Sequence, residues 1–161
     1  MWLPWATVEY LRATGDKTIL DEKVSYVESE FPFADLPKNK EGWGHLYHRS
    51  TRQETLYKHC MRSIDLILKK RTGKNGIPHI RTGDWNDGLD EIGSKGKGES
   101  IWLGFFLHYI LKEMLPVIEK KEGKASKDAY AAKLTALAAA LEKTWRNDRY
   151  LRAIHDDGTE I

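Results

Sequence analysis

Residues 99–120 constrain the fold most, because apolar side chains occupy nearly every position around the first half of the helix they predict. A surface helix has one apolar face, whereas a helix that is apolar all round is buried on more than one side. The chain must therefore supply packing partners on two sides of this segment. The apolar side chains are Ile101, Trp102, Leu103, Phe105, Phe106, Leu107, Tyr109 and Ile110.

The rest of the chain predicts four more helices, so we expect an all-α fold. Apolar residues recur at helical spacing, and no stretch alternates convincingly between apolar and polar side chains as a strand would. Residues 31–49 hold two of the five prolines and predict a long loop. The further helices cover residues 3–13, which end at Gly15, residues 19–28, the segment after Thr51, and residues 127–145.

The helix after Thr51 has the clearest amphipathic pattern. Thr51 and Glu54 match a capping box, in which the two side chains satisfy free backbone N–H groups of the first turn. Gly73 is expected to follow the end of the helix. The predicted buried stripe is Leu56, Cys60, Ile64 and Ile67. The last helix predicts a similar stripe of Tyr130, Leu134, Leu137, Leu141 and Trp145.

Five helices leave apolar faces of residues 99–120 without partners, which points to a piece of a larger helical assembly. The chain also begins inside an apolar helix and stops soon after Asp156, Asp157 and Gly158. We therefore expect residues 1–161 to form one partial domain that is incomplete at both ends.

The composition indicates which binding partners and which cellular compartment the protein is expected to have. The 26 basic and 24 acidic side chains give a net charge of +2, without the basic stripe of a nucleic-acid-binding protein. A single cysteine, Cys60, excludes an internal disulfide and a cysteine-based zinc site, and it is interpreted as a core residue. No signal peptide is visible, and the apolar run of residues 101–107 is too short to span a bilayer. We expect a cytoplasmic protein without metal, nucleic-acid or membrane partners.

The run TGDWNDGLD places two carboxylates, Asp84 and Asp87, on either side of Trp85 and Asn86 in a glycine-flanked loop. A sugar site needs this mixture: an apolar platform for the ring, amide and carboxyl groups for the hydroxyls, and an acid for the leaving oxygen. The spacing does not fit a calcium loop of the EF-hand type, which requires glycine and glutamate where Leu89 and Lys95 stand. Ordinary turn chemistry explains the aspartates and the asparagine but not the tryptophan, so both readings stay open.

Two other segments have open interpretations. Residues 93–100 (GSKGKGES) lack the ending of a phosphate-binding P-loop, and they predict a flexible lead into a helix whose first turn holds Glu99. Residues 43–49 (WGHLYHR) mix aromatic rings and hydrogen-bond donors, which suits a sugar site or simple packing equally.

The chain resembles glycoside hydrolase family 94, the inverting phosphorylases of cellobiose, cellodextrins and chitobiose, together with the phosphorylase-like domain of cyclic β-1,2-glucan synthases. The matching segments run in the family's order over nearly the whole chain. They are WLPWATVEYLRATGD, ILDEKV, TLYKHCMRSID, GDWNDGLDEIG, KGESIWLGFFL and RAIHDDGTEI.

The resemblance implies part of an (α/α)6 barrel and a glycosyltransferase activity that uses inorganic phosphate as co-substrate and no cofactor. It implies that Asp87 is the proton donor and that Trp85 contacts the sugar. Asp84 and Asn86 then bind the substrate and shape the loop. The substrate is a β-linked glucoside or oligosaccharide, and a homodimer of the full-length protein is compatible with the resemblance.

Some family features differ or lie elsewhere. The family's sugar-clamping and phosphate-binding segments fall outside residues 1–161, so we expect the isolated chain to be inactive. His79, Arg81 and Asp90 stand where the family often has other residues. An inverting (α/α)6 hydrolase that uses water and a non-catalytic carbohydrate-binding helical fragment remain as alternatives.

Overall fold

A computed structural model describes residues 1–29, 47–81 and 87–161, apart from the side chain of Asp87. Within these ranges the chain forms four α-helices: α1 (Trp2–Thr14), α2 (Leu56–Lys70), α3 (Ile101–Glu122) and α4 (Lys124–Glu142). It also forms six short strands: β1 (Lys23–Ser29), β2 (Tyr47–Thr55), β3 (Glu99–Ser100), β4 (Trp145–Arg146), β5 (Arg149–Tyr150) and β6 (Ala153–Ile154). Single-turn 3₁₀ helices cover Thr18–Asp21 and Asp87–Leu89. The fold is mainly helical, so the all-α prediction is confirmed in part, and the short strands are the part that it missed.

The predicted helix over residues 19–28 is wrong, because this segment forms a 3₁₀ turn followed by β1. β1 pairs antiparallel with β2, from Lys23 opposite Thr55 to Ser29 opposite Tyr47. Both strands lie at the surface, and Ser50 is the only fully buried residue in the pair. Most strands are recognised because apolar and polar side chains alternate along them. A strand pair that buries neither face lacks this alternation, so the sequence does not reveal it.

The start of α2 differs from the predicted capping box. Thr51 and Glu54 belong to β2, and the N-cap is Thr55, whose hydroxyl oxygen accepts the Lys58 N–H at 3.3 Å. The Glu54 carboxylate instead accepts two hydrogen bonds from the guanidinium of Arg62. These bonds, together with one from a tyrosine hydroxyl, hold the pKa of Glu54 at about 2.

The core forms around α3, as its all-round apolar pattern predicts. α4 packs closely on one side, where a Cβ added at Gly104 would lie 2.7 Å from Cδ2 of Leu141. On the other side, Phe106 contacts the ring of Trp2 in the first turn of α1, with centroids 5.1 Å apart. The buried side chains of the core include Val8, Tyr57, Cys60, Met61, Ile64, Leu107, Ile110, Leu111, Met114, Ile118, Leu137 and Leu141.

The predicted stripe of α2 is confirmed, since Cys60 and Ile64 are fully buried and Leu56 and Ile67 pack against the core. The last helix ends at Glu142, three residues earlier than predicted. Trp145 is therefore not on its buried face but lies in β4, 47% exposed.

The apolar run of residues 101–107 was expected to be too short to span a bilayer, but the helix that contains it is longer than this run. The run continues within a helix of 22 residues, which by length and composition alone could cross a membrane. A buried core helix has the same length and composition, and α3 packs against α1 and α4 and shares one apolar core with α2.

The position of the α2 cap can be tested with two matched threonine variants. Thr55→Ala removes the oxygen that caps α2, so the free energy of unfolding should fall by about 1 kcal/mol. Thr51→Ala changes an exposed residue of β2 and should alter it by less than about 0.5 kcal/mol. Urea unfolding of both variants measures the difference. A larger loss from Thr51→Ala would contradict the structure and favour the capping box.

Candidate functional site

The residues predicted to bind sugar, Asp84, Trp85 and Asn86, lie outside the described residues, as does the side chain of Asp87. The backbone of Asp87 is described and begins the 3₁₀ helix Asp87–Leu89. The roles of these four residues stay predictions. The structure describes the segments that enter and leave the loop, and these segments show how the two ends of the loop are held.

The segment that enters the loop is held by backbone hydrogen bonds to the residues just before α3. The Ile80 N–H donates to the Gly98 carbonyl oxygen at 2.9 Å, and the Ser100 N–H donates to the Pro78 carbonyl oxygen at 2.9 Å. Arg81, the last described residue before the loop, has a φ of 57°. This left-handed conformation is uncommon for a residue with a side chain, so the chain turns sharply as it enters the loop.

The segment that leaves the loop packs against the one that enters it. Ile80 and Ile92 are buried with Ala153 of β6, and Leu89 packs on this small apolar cluster. The Ile92 N–H donates to the Leu89 carbonyl oxygen at 3.2 Å. The two ends of the loop are therefore fixed against each other and against β6.

Two glycines allow this close packing. A Cβ at Gly93 would lie 2.4 Å from Cγ2 of Ile80 and 2.5 Å from the carbonyl oxygen of Arg81. A Cβ at Gly98 would lie 2.3 Å from the carbonyl oxygen of Ile92. Distances this short force neighbouring backbone or side-chain atoms to shift, so glycine is favoured at both positions.

Asp156 ties the segment of residues 95–98 to the end of the chain. Its carboxylate accepts backbone N–H groups of Lys95 and Lys97, each at 2.7 Å, and of Gly98 at 2.8 Å. Burial raises the pKa of Asp156, but the three backbone hydrogen bonds outweigh burial and place it below its ordinary value. The prediction of a flexible lead over residues 93–100 is therefore wrong, because these residues are anchored.

The sequence predicted that Glu99 lies in the first turn of α3, and this prediction is wrong. Glu99 lies in β3 opposite Ile154, and Ser100 is the N-cap, accepting the Leu103 N–H at 3.2 Å. The Glu99 side chain is 1% exposed, and its carboxylate accepts hydrogen bonds from the backbone and the side chain of Asn75. A buried carboxylate with fixed donors holds residues 73–75 against the start of α3.

Sequence reasoning missed Asp156 and the buried role of Glu99. The partners of Asp156 are about 60 residues away in the chain, so no local pattern reveals them. The signal that could have identified Glu99 is its position between glycine and an N-capping serine, which leaves it outside the helix.

Residues 43–46 of the aromatic segment lie outside the described residues, while Tyr47, His48 and Arg49 lie in β2. His48 is 3.7 Å from Glu28, and Arg49 donates to the Ser25 hydroxyl, so both contact β1. Within the described ranges, no three His, Cys, Asp or Glu side chains come close enough together to hold a metal ion.

Comparison with known proteins identifies the family. Residues 40–161, which include the loop and its anchors, match the glycosyl hydrolase 94 superfamily, catalytic domain. The chain belongs to this superfamily. The resemblance stated from the sequence motifs is thus confirmed.

Its relatives include one synthase and several phosphorylases. The whole chain is 37% identical to cyclic beta-(1,2)-glucan synthase NdvB of Rhizobium meliloti and 27% identical to solabiose phosphorylase of Paenibacillus borealis. Over 98% of its length it is 30% identical to cellobionic acid phosphorylase of Neurospora crassa. The chain spans 6% of the length of the first protein, 18% of the second and 17% of the third.

The close packing of the loop ends predicts that Gly93→Ala is destabilising. The added Cβ forces the backbone of Arg81 or the side chain of Ile80 to move, so the free energy of unfolding should fall by about 1–3 kcal/mol. Ser94→Ala, at the exposed next position, is the control and should change it by less than about 0.5 kcal/mol. Urea unfolding provides the comparison, and a Gly93→Ala variant as stable as the parent would refute the packing described above.

Proposed function

We propose that this chain is the general-acid segment of an inverting phosphorylase, which cleaves a β-glucoside with inorganic phosphate and releases a sugar 1-phosphate. The observation that carries the proposal is the position of the GDWND loop inside the family match of residues 40–161. The anchored ends of this loop support it, because a catalytic acid must be held in a defined position. The phosphorylases among the relatives support the same reaction class.

In this proposal Asp87 protonates the glycosidic oxygen as the bond between that oxygen and the anomeric carbon breaks. An oxygen of phosphate attacks the anomeric carbon from the opposite face and forms the new bond with inversion. An inverting hydrolase needs a second carboxylate to activate water, whereas phosphate is already an anionic nucleophile. The reaction therefore requires one carboxylic acid from the protein.

The other loop residues bind the sugar. Trp85 provides an apolar face for the ring, and Asp84 and Asn86 hydrogen-bond its hydroxyl groups. For Asp87 to act as an acid near neutral pH its pKa must be raised, either by burial or by Asp84 three residues earlier in the chain. No metal or other cofactor is part of the proposed reaction.

We further propose that residues 1–161 form part of an (α/α)6 barrel in a longer, cytoplasmic protein. Two exposed aromatic residues near the starts of core helices support this: Trp2, in the first turn of α1, is 50% exposed, and Phe105, in the second turn of α3, is 40% exposed. Large apolar side chains at such positions are typical of surfaces that pack against other elements. The barrel's remaining helices would supply the phosphate-binding residues.

The role of Asp87 can be tested in the complete protein with β-linked glucose disaccharides and inorganic phosphate. Asp87→Asn removes the acidic proton, so the release of glucose 1-phosphate should fall by about 10²–10⁴-fold. Asp90→Asn changes the next carboxylate along the loop, and its rate should stay within about twofold of the parent, since it lies outside the proposed chemistry.

Three results would contradict the proposal. Near-parental phosphorolysis by Asp87→Asn would remove this residue from the acid role. Cleavage that continues at the same rate without phosphate would favour the hydrolase. Sugar binding by the complete protein without cleavage, unaffected by Trp85→Ala, would favour the non-catalytic alternative.

A further inference from the structure

We propose that Asp156 is the positioning residue for the general acid Asp87: its carboxylate binds the backbone of residues 95–98, its backbone N–H binds Ile92, and these residues contact the segments that enter and leave the loop carrying this acid. The inference rests on the proposed function of Asp87. Asp156 itself lies far from that loop in the sequence and does not touch the substrate in this proposal. It acts only through the polypeptide segments that it holds.

The contacts of Asp156 are directed away from its own turn. Its Oδ2 accepts the Lys95 N–H, and its Oδ1 accepts the N–H groups of Lys97 and Gly98. Its own backbone N–H donates to the Ile92 carbonyl oxygen at 2.9 Å. Hydrogen bonds to an ionised carboxylate are shorter and stronger than those between neutral groups, so the three bonds to the carboxylate are the strong part of this anchor and the backbone bond to Ile92 adds a fourth contact.

One further hydrogen bond links this anchor to the residues that leave the loop. Ile92, which accepts from Asp156, donates its N–H to the Leu89 carbonyl oxygen at 3.2 Å. Leu89 is the last residue of the 3₁₀ helix that Asp87 begins. Ile92 is therefore the one residue between Asp156 and the 3₁₀ helix of Asp87 in this chain of hydrogen bonds.

The segment that enters the loop is linked in the same way. Gly98 donates its N–H to Asp156 and accepts the Ile80 N–H at its carbonyl oxygen, 2.9 Å away. Ile80 lies two residues before the loop, and its side chain packs against Ile92. These segments are closely packed, since even a Cβ at Gly98 would collide with the Ile92 carbonyl oxygen.

Asp157, the next residue, provides the contrast. Its carboxylate accepts the Thr159 N–H at 2.9 Å and lies 3.4 Å from Nδ1 of His155, so its contacts stay within the turn. The two adjacent aspartates thus have different roles: Asp157 shapes the turn, and Asp156 connects the turn to both ends of the loop. This makes Asp157→Ala a matched control for Asp156→Ala.

The test measures the cleavage of two substrates by the complete protein with inorganic phosphate. One is the β-linked glucose disaccharide that the parent cleaves fastest, and the other is β-glucosyl fluoride, whose leaving group needs less help from an acid. With the disaccharide, Asp156→Ala should lower kcat by about 10- to 100-fold and leave KM within about threefold, because a misplaced acid weakens only the transition state. With the fluoride, the loss should be much smaller.

Asp156→Asn is the conservative variant. Its amide oxygen can replace Oδ1 and accept from Lys97 and Gly98, while the Lys95 N–H loses its acceptor. It should therefore lose less disaccharide activity than Asp156→Ala, with the same preference for the fluoride. If Asp156→Ala does not fold, as judged by circular dichroism, the substrate preference of Asp156→Asn decides the question by itself. Asp157→Ala should resemble the parent with both substrates.

Equal losses with both substrates would show a merely structural role and overturn the inference. Equal effects of Asp156→Ala and Asp157→Ala would do the same. Asp87→Asn, measured beside them, separates the two proposals. If Asp87→Asn shows the loss specific to the disaccharide but the Asp156 variants do not, only the positioning role fails. If Asp87→Asn cleaves the disaccharide like the parent, the proposed function fails and the positioning role fails with it.

Discussion

The burial of α3 on two sides is the constraint on which the rest of the structure depends. Its apolar surface brings α4 against one side through Gly104 and the start of α1 against the other through Phe106. The beginning of α3 is fixed in turn, because Ser100 caps it and β3 pairs with β6. The segments that flank the GDWND loop attach to this fixed point through Pro78 and Gly98. The core thus determines where the candidate site lies.

The sequence predicts those parts of the fold whose cause is local and apolar. The two-sided burial of α3 and the buried stripe of α2 are read directly from side-chain spacing. The hairpin of β1 and β2 is not predictable in this way, because backbone pairing holds it together and neither strand buries an apolar face. The cap of α2 is missed for the same reason: Thr51 and Glu54 belong to the paired strand β2, so the helix begins only after Thr55 and the Glu54 side chain binds Arg62 instead.

The candidate site divides in the same manner. The chemistry proposed for the loop rests on its residue types, because ordinary turn preferences explain the aspartates and the asparagine but not the tryptophan between them. The contacts that hold the loop ends cannot be predicted from the sequence. The carboxylate of Asp156 binds backbone about 60 residues away, and the buried side chain of Glu99 binds Asn75 in another turn. Polar anchors of this kind depend on the finished fold, and only the structure shows that they surround both ends of one loop.

The proposed reaction depends on proton donation by the side chain at position 87, which lies on a loop whose ends are fixed. A crystal structure of the complete Asp87→Asn protein with a β-linked glucose disaccharide and phosphate would show whether this side chain is in place to donate. We expect the side chain at position 87 within about 2.6–3.2 Å of the glycosidic oxygen, with phosphate on the opposite face of the ring. A different carboxylate at that distance, or a second carboxylate holding a water molecule where phosphate is expected, would contradict it.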